Sequence, residues 1–263
     1  MTMKKLFALL LSAVIALSCF AGCTQEETSD LAYIQKKGKL VVGITEFAPM
    51  DYLDNNGQWI GFDADFARLV AAELGVEVEF FVISNWGLKF TELETKNIDV
   101  IWNGMTISQD VLNNTSCSDP YVRNAQVVVM ASDKLADYTT AESLKGLTIA
   151  VEDDSAGETA AREAGLTNLV ELQYQDNALM EVAAGTADAC IIDLTMATNM
   201  TGAGTSYANL GFSLELTSEV YGIGFRKGSD VTAKVNELIA KYMADGTLQA
   251  LAEKYGVTLV DSK

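Results

Sequence analysis

Apolar segments of strand length alternate with amphipathic segments of helix length in the first part of this chain. Three segments have the pattern of strands: Lys39–Thr45 as a buried apolar run, Val76–Val82 with alternating residues, and Asp99–Trp102. The first of the helices between them begins near Asp63, which can cap it, and ends near Leu74. This β-α-β-α-β order predicts a parallel sheet with helices on its faces and right-handed crossovers.

The same order of elements occurs a second time. Strands are predicted at Leu147–Val151, Leu169–Tyr174 and Ala187–Asp193, with helices at about Ser155–Ala164 and Ala178–Ala184. The two units share an architecture but no usable sequence repeat. In a chain of 263 residues they predict an α/β fold of two lobes, each a mainly parallel sheet flanked by helices.

The connections between the units predict how the lobes are joined. Further strands are predicted at Gln126–Ala131, Leu210–Leu216 and Tyr221–Arg226, followed by helices over Val231–Ala244 and Leu248–Tyr255. We therefore expect lobe 1 to comprise residues 36–122 plus 222–263, and lobe 2 to comprise residues 123–221. The two crossovers would form a hinge, and the cleft between the lobes is the expected binding site.

The N-terminus has the pattern of an export signal. Lys4 and Lys5 precede an apolar run from Leu6 to Leu17, which is too short to span a membrane. The small residues before Cys23 resemble a bacterial lipoprotein signal, so residues 1–22 are predicted to be removed and Cys23 to carry lipid. Residues 23–35 would then be a tether. An ordinary secretory signal with an incidental cysteine is the alternative.

Charge and composition exclude several classes of function. The net charge of −18 becomes −20 when residues 1–22 are removed, and nucleic-acid binding needs a basic surface instead. Membrane attachment would therefore depend on the lipid. The chain has no histidine, the commonest general base and zinc ligand, and we expect neither metal nor cofactor. Cys117 and Cys190 are expected to be buried free thiols, although an exported protein could pair them.

The stretch from Asp99 to Tyr121 has the layout of a loop that contacts a ligand. A short apolar strand ends at Trp102, and the polar residues Asn103-Gly104-Met105-Thr106 follow it as a predicted turn. Open α/β sheets bind their ligands at the carboxyl ends of their strands. A tight turn without a ligand is the alternative interpretation of the same residues.

Eight segments together resemble the polar-amino-acid group of extracellular solute-binding proteins, which are the receptor subunits of ABC importers. The resemblance covers about Leu31 to Gly256. It implies a fold like that of the periplasmic binding proteins, closing on an amino acid or related amine and delivering it to a membrane permease with its ATPase. The protein would be exported and held by lipid at the outer face of the cell membrane, or be periplasmic. The segments are KLVVGITEFAPM, NGQWIGFDADFARLVAAELGV, KNIDVIWNGMTIS, SDPY, SLKGLTIAV, GTADACIID, YGIGFRKGSD and MADGTLQALAEKYG.

The resemblance also implies a role for individual residues. Phe47 matches an aromatic ring that lies against the ligand, and Trp86 lies in a loop that can form an apolar wall. The turn that meets the ligand carboxylate corresponds to Asn103, Gly104 and Thr106.

In the second lobe, Ser155 with the backbone of Asp154 and Ala156 matches a turn at the start of a helix, whose N–H groups attract anions. Asp193 matches the carboxylate that holds the ligand ammonium. Ordinary structural roles are the alternatives, namely core packing for Phe47, a helix cap for Ser155 and a cap of the helix at Leu194–Met200 for Asp193.

Two positions depart from the family pattern. Val111 stands where the family has an arginine that pairs with the ligand carboxylate, and Asp154 stands where it has glycine. An apolar group cannot replace a bidentate guanidinium. Of the four arginines, Arg123 is the one expected to reach the cleft, with a solvated hinge charge as the alternative. Both departures favour a cationic or unusual amine ligand.

Two other functions remain open at this point. An enzyme on the same fold, such as a dehydratase, would need a positioned acid or base among Glu46, Asp51, Glu152 and Asp193, and the sequence shows no paired constellation. A ligand-sensing module is the other alternative.

Overall fold

The computed structural model describes residues 29–261 and shows two large β-sheets, each flanked by helices, and a small two-stranded sheet. Lobe 1 contains β1 (Lys39–Ile44), β2 (Tyr52–Leu53), β3 (Trp59–Ile60), β4 (Glu77–Val82), β5 (Val100–Thr106), β6 (Ser116–Cys117), β7 (Val122–Asn124) and β13 (Glu219–Phe225). Its helices are α1 (Asp30–Lys37), α2 (Phe62–Leu74), α3 (Lys89–Glu94), α4 (Gln109–Asn114), α8 (Val231–Ala244) and α9 (Thr247–Tyr255).

Lobe 2 contains the second sheet and three helices. Its strands are β8 (Gln126–Ala131), β9 (Ile149–Glu152), β10 (Leu169–Leu172), β11 (Ala189–Asp193) and β12 (Leu210–Glu215). Its helices are α5 (Ala156–Glu163), α6 (Gln175–Ala184) and α7 (Leu194–Met200). Short 3₁₀ turns lie at Trp86–Leu88, Leu135–Asp137 and Ala141–Leu144.

Each sheet has a parallel part and an antiparallel part. In lobe 1 the order is β4-β1-β5-β13-β6, in which β4, β1 and β5 are parallel and β13 runs against β5. In lobe 2 the order is β10-β9-β11-β8-β12, in which β10, β9 and β11 are parallel. Cys117 lies in the first sheet and Cys190 in the second; both are free thiols, and Cys190 is buried as expected, whereas Cys117 is only partly buried.

Two adjacent strands carry the chain between the lobes. It leaves lobe 1 at the end of β7, enters β8 at Gln126, and returns from β12 to β13 at Glu219. Strands β7 and β13 pair antiparallel, with Asn124 opposite Glu219 and Val122 opposite Tyr221. The double crossing predicted from the sequence is therefore a two-stranded connection that lies at the base of the cleft.

The core of lobe 1 is centred on Phe66 of α2. Its ring packs edge-on against Trp102 of β5 at a centroid distance of 4.9 Å and against Tyr242 of α8 at 6.2 Å. The C-terminal helix α8 therefore packs on the same core as α2 and β5. Trp102 is fully buried, which confirms its expected place in the core.

The end of the predicted tether is folded. Ser29 caps α1, Ile34 of this helix is buried, and Asp230 accepts a hydrogen bond from Leu31 N at 3.0 Å. The tether predicted over 23–35 thus overlaps a helix of lobe 1. Residues 1–22 and the lipidation site at Cys23 lie outside the described residues. Within residues 29–261, no helix is both long enough and apolar enough to cross a membrane.

The side chain of Arg226, at the end of β13, ties α1 to the sheet. Its Nε lies 3.0 Å from both carboxylate oxygens of Asp30, and its Nη1 donates to Ile98 O at 2.9 Å. Arg226 and Asp99 are also ion-paired at 3.5 Å, and the Asp99 side chain is fully buried.

We predict that Arg226→Met lowers the free energy of unfolding by about 3–5 kcal/mol, because it leaves Asp30 and the carbonyl of Ile98 without their cationic donor, while Asp99 keeps Lys37 at 2.6 Å. Arg162, which pairs with Glu158 and Glu171 on the surface, offers a control of the same chemistry. Arg162→Met should cost less than about 1 kcal/mol. Urea denaturation of both variants measures the two values, and equal losses would contradict the assigned role of Arg226.

Candidate functional site

A cavity of about 300 Å³ lies between the lobes, at the carboxyl ends of β1, β5, β9 and β11. This is the place where sheets of this kind bind ligands. Nine of the ten ligand-binding residues predicted from the sequence line it. These are Phe47, Trp86, Asn103, Gly104, Thr106, Asp154, Ser155, Ala156 and Asp193.

Phe47 and Trp86 form the aromatic wall of lobe 1. Phe47 follows β1, packs edge-on against Tyr221 at 6.4 Å and is nearly buried. Gly104 permits this placement, because a Cβ there would lie 2.6 Å from Phe47 Cε1, and its φ of +55° favours glycine. Trp86 begins a 3₁₀ turn whose preceding residue, Asn85, caps it by accepting from Gly87 N at 2.8 Å.

The predicted polar turn at Asn103–Thr106 is wrong in one respect, because β5 continues through Thr106. Thr106 and Met105 pair with Tyr221 and Gly222 of β13, and the register then shifts. The strand pairing with β13 at Thr106 could not be read from a local turn pattern. The polar residues therefore lie on an irregular strand end at the cleft.

The polar groups of this strand end already have partners in the protein. Asn103 donates to Thr45 O at 3.0 Å and to Asp51 Oδ2 at 2.8 Å, and it accepts from Thr45 N and Oγ1. The hydroxyl of Thr106 donates to Glu219 Oε1 at 2.8 Å. Few neutral donors of lobe 1 are thus left for a ligand.

Asp63 holds this strand end from beneath. Its Oδ2 accepts from Gly104 N at 2.6 Å and its Oδ1 accepts from Tyr121 OH at 2.7 Å. Burial raises the pKa of Asp63 to about 7. The prediction that Asp63 caps a helix is wrong, because α2 begins at Phe62 and the carboxylate of Asp63 is used for positioning the site.

In lobe 2, Ser155 caps α5 as predicted, accepting from Glu158 N at 3.1 Å. Asp154 before it adopts the left-handed conformation with φ of +56°, which explains why glycine suits this position in the resembling family. Its carboxylate lies across the mouth of the cleft, where Oδ2 would be 2.2 Å from a Cβ placed on Gly87.

Asp193 ends β11 on the floor of the cleft. Its Oδ1 accepts from Tyr221 OH at 2.7 Å and Gln126 Nε2 at 3.1 Å, and Asn124 and Gln175 also donate to this carboxylate. Asp193 thus serves this network rather than capping α7, the alternative considered above. Burial and then the charge of Glu219 raise the pKa of Asp193 to about 7.

Several polar residues of the cavity were not predicted as ligand contacts, among them Lys89, Gln175 and Glu219, and Glu152 was considered only as an acid or base of the enzyme alternative. Glu152 ends β9 and Glu219 begins β13. A polar residue at the end of a strand was the sequence signal from which their cleft positions could have been predicted. Lys89 lies between the apolar residues Leu88 and Phe90, and this local pattern gives no sign of a cleft position.

The lining of the cavity is strongly acidic. Six of its side chains are carboxylates: Asp110, Glu152, Asp154, Glu163, Asp193 and Glu219. In the described part of the chain, Lys89 is the one basic side chain among the lining residues. Burial, and then the charge of Asp193, raise the pKa of Glu152 to about 8. Such a cavity favours a ligand that brings positive charge.

The expectation that Arg123 reaches the cleft is wrong for this structure. Its side chain is half exposed and pairs with Asp261 on the outside of the hinge. The other three arginines are also paired away from the cavity, with Asp65 for Arg68, with Glu158 and Glu171 for Arg162, and with Asp30 and Asp99 for Arg226. Val111 lines the cavity and is nearly buried.

Within residues 29–261, one group of carboxylates lies close enough together to share a metal ion: Asp153, Asp154 and Glu158. Glu158 is already bonded to Arg162 and to Asp154 N, and Asp153 accepts from Asn85 at 3.2 Å. These hydrogen bonds and ion pairs explain why the three carboxylates lie close together at the mouth of the cleft.

Comparisons with known proteins agree with this architecture. The family described as bacterial extracellular solute-binding proteins, family 3, matches residues 40–258. The L-cystine-binding protein TcyJ of Escherichia coli (strain K12) is 28% identical over 257 residues, covering 93% of this chain and 94% of that protein.

Two solved structures are similar in fold and sequence. One is an amino acid ABC transporter substrate-binding protein from Streptococcus pneumoniae bound to L-arginine, with TM-score 0.79 and 27% identity over 89% of this chain and 100% of that chain. The other is the ancestral amino acid-binding protein AncCDT-1, a precursor of cyclohexadienyl dehydratase, with TM-score 0.79 and 32% identity over 86% of this chain and 99% of that chain. Both neighbours are two-lobed binding proteins, as the predicted fold class requires.

The raised pKa of Glu152 gives a testable pH dependence. Between its ordinary value of 4.5 and about 8, the folded state keeps a proton that the unfolded state has released. The free energy of unfolding therefore falls as pH rises through this window. Glu152→Gln should remove that contribution and gain on the order of 1–3 kcal/mol relative to wild type between about pH 5 and about pH 8.

Urea denaturation across this pH window measures the effect. Glu215→Gln, at an exposed glutamate of the same lobe, is the matched control and should follow the wild-type curve. Parallel curves for wild type and Glu152→Gln would show that Glu152 is ionised throughout.

Proposed function

This chain belongs to the bacterial extracellular solute-binding proteins of family 3, and on that premise we propose that it captures an amino acid or related amine in its interlobe cleft. Its role as a solute-binding protein follows from the family. We propose further that the ligand is cationic and that an ABC permease with its ATPase receives it.

The observation that carries the proposal is the acidic cavity with Asp193 on its floor. A desolvated ammonium needs a charged partner and hydrogen bonds, and the Asp193 carboxylate stands at a strand end where it can supply both. Phe47 and Trp86 add aromatic faces that attract a cation by on the order of 0.5–2 kcal/mol. The binding of L-arginine by the S. pneumoniae neighbour supports a cationic amino acid as the ligand.

Export and lipid attachment belong to the same proposal. The signal pattern over 1–22 and the cysteine at position 23 support a lipoprotein held at the outer face of the membrane. The family of extracellular solute-binding proteins supports this placement. Loss of membrane association in Cys23→Ser, tested by cell fractionation, is the corresponding check.

An enzyme on this fold is the second candidate, because the structure brings Glu152 and Asp193 to the same cavity. Their pKa values of about 8 and about 7 suit proton transfer near neutral pH. The similar relatives are binding proteins, and we propose the same for this chain. Turnover of a bound ligand by wild type, with turnover lost but affinity kept in Glu152→Gln, would favour the enzyme.

A thermal-shift screen of residues 24–263 against amino acids, amines and dipeptides tests the proposal. A ligand that binds the folded state raises the melting temperature by mass action. We predict a clear shift with at least one basic amino acid or amine, and a smaller shift with the uncharged analogue L-citrulline than with L-arginine.

Asp193→Asn should weaken the best ligand by about 30-fold or more, because one partner of a buried charge pair is removed. Asp133→Asn, at an exposed aspartate of the same lobe, should bind like wild type. Unchanged affinity in Asp193→Asn, measured by calorimetry, would remove Asp193 from the site.

A further inference from the structure

Lys89 is a buried cation that faces the cavity. It begins α3, its side chain is 6% exposed, and its ammonium lies 5.0 Å from the ring centroid of Trp86 and 4.9 Å from that of Phe90. Burial lowers the pKa of Lys89, whereas the charges of Asp154, Asp110 and Glu152 act in the opposite direction. A desolvated ammonium in this position needs strong hydrogen-bond partners.

The partners that the protein supplies to Lys89 are weak. Its Nζ lies 3.3 Å from Trp86 O and 3.4 Å from Asp154 O, both neutral carbonyls at long distance. Among residues 29–261, no carboxylate lies within 4.0 Å of this nitrogen in an ion pair. An ammonium has three donors, so Lys89 keeps capacity for an anionic group.

Other candidates to bind a carboxylate in lobe 1 are already used. Val111 has no donor, the Asn103 side chain is bonded to Thr45 and Asp51, and Gly104 N is bonded to Asp63. The arginines are paired away from the cavity, as described above. Lys89 is therefore the positively charged group of lobe 1 that can pair with a ligand carboxylate.

The position of Lys89 relative to lobe 2 adds an independent reason. Its ammonium contacts the carbonyl of Asp154, the residue before the cap of α5. Ser155 and Ala156 at the start of α5 line the same cavity, and the first turn of a helix has N–H groups without partners inside the helix. An anion placed there would meet the ammonium from one lobe and the helix terminus from the other.

We propose that Lys89 binds the α-carboxylate of the ligand in place of the arginine that the chain lacks at position 111. The ligand would then lie with its carboxylate between Lys89 and the start of α5 and its ammonium towards Asp193. This inference deepens the proposed function and rests on it, because it requires a ligand that carries a carboxylate. It names basic amino acids, rather than polyamines, as the substrate class.

Pairs of ligands that differ only in the carboxylate test this role. The probes are L-arginine with agmatine, L-lysine with cadaverine, L-ornithine with putrescine and L-histidine with histamine. Affinities are measured by calorimetry for wild type and Lys89→Met, which keeps the length of the side chain and removes its charge. We expect wild type to prefer the amino acid of its best pair.

Lys89→Met should weaken the amino acid by about 30-fold or more and the matching amine by less than about threefold. Adding Val111→Arg to Lys89→Met should recover at least about tenfold of the affinity for the amino acid, because a guanidinium then faces the same cavity. Lys234→Met, at an exposed lysine of α8 paired with Glu237, controls for the loss of one positive charge.

Three results would overturn the inference. Equal weakening of amino acid and amine by Lys89→Met would assign Lys89 to packing, and tighter binding of both would show that it occupies the place of a cationic ligand. A wild type that binds amines but no amino acid would overturn the role of Lys89 and leave amine capture intact. A wild type that binds none of the probes would overturn this inference and the proposed cationic ligand together.

Discussion

The hydrogen bond from the Tyr221 hydroxyl to Asp193 Oδ1, 2.7 Å long and fully buried, joins the two lobes at the floor of the cleft. Tyr221 belongs to the crossing strand β13, whose backbone is paired with β5 and β7, and its ring packs against Phe47. One side chain thus contacts both Phe47 of the aromatic wall and the Asp193 carboxylate of lobe 2. Thr195, which shares the hydroxyl at 2.8 Å, connects the same tyrosine to α7.

Both lobes contain buried carboxylates near this connection. The surroundings that compensate for the desolvation of these carboxylates differ between the lobes. Asp63 and Asp51 of lobe 1 are enclosed beneath β5, where burial raises their pKa values and their acceptors hold Gly104 and Asn103 in place. Asp193 and Glu152 of lobe 2 face the cavity instead. A cationic ligand would favour their ionised forms and lower their raised pKa values, so its binding would be accompanied by some proton release near neutral pH.

The alternation of strands and helices was sufficient to predict the two lobes. The spacing of apolar residues differs between helices and strands, so each kind of element can be recognised in the sequence. Helix α8 over Val231–Ala244 and strand β8 over Gln126–Ala131 have the predicted bounds. Lining of the cavity was predictable where a residue ends or closely follows a strand, as Asp193 and Phe47 do. The role of Asp63 and the cleft position of Lys89 depend on contacts between distant segments, such as Asp63 with Gly104 and Lys89 with Asp154. No local pattern encodes such contacts.

The placement of Lys89 links the missing arginine to the closure of the cleft. Three contacts cross its mouth: Gln173 Nε2 donates to Ser84 O at 2.6 Å, Asn85 Nδ2 donates to Asp153 Oδ2 at 3.2 Å, and Lys89 approaches Asp154 O. The first two join neutral or exposed groups and contribute little alone.

A carboxylate bound between Lys89 and α5 would add a charged contact that exists only when both lobes meet. An arginine at position 111 would lie at α4 within lobe 1. Lys89 instead contacts the opposite lobe, through Asp154 O. Binding by Lys89 would therefore place the ligand carboxylate at the boundary between the lobes. A ligand stabilises the closed state only by binding it more tightly than the open state. The contact with Lys89 would therefore contribute both to the affinity for the ligand and to closure of the cleft.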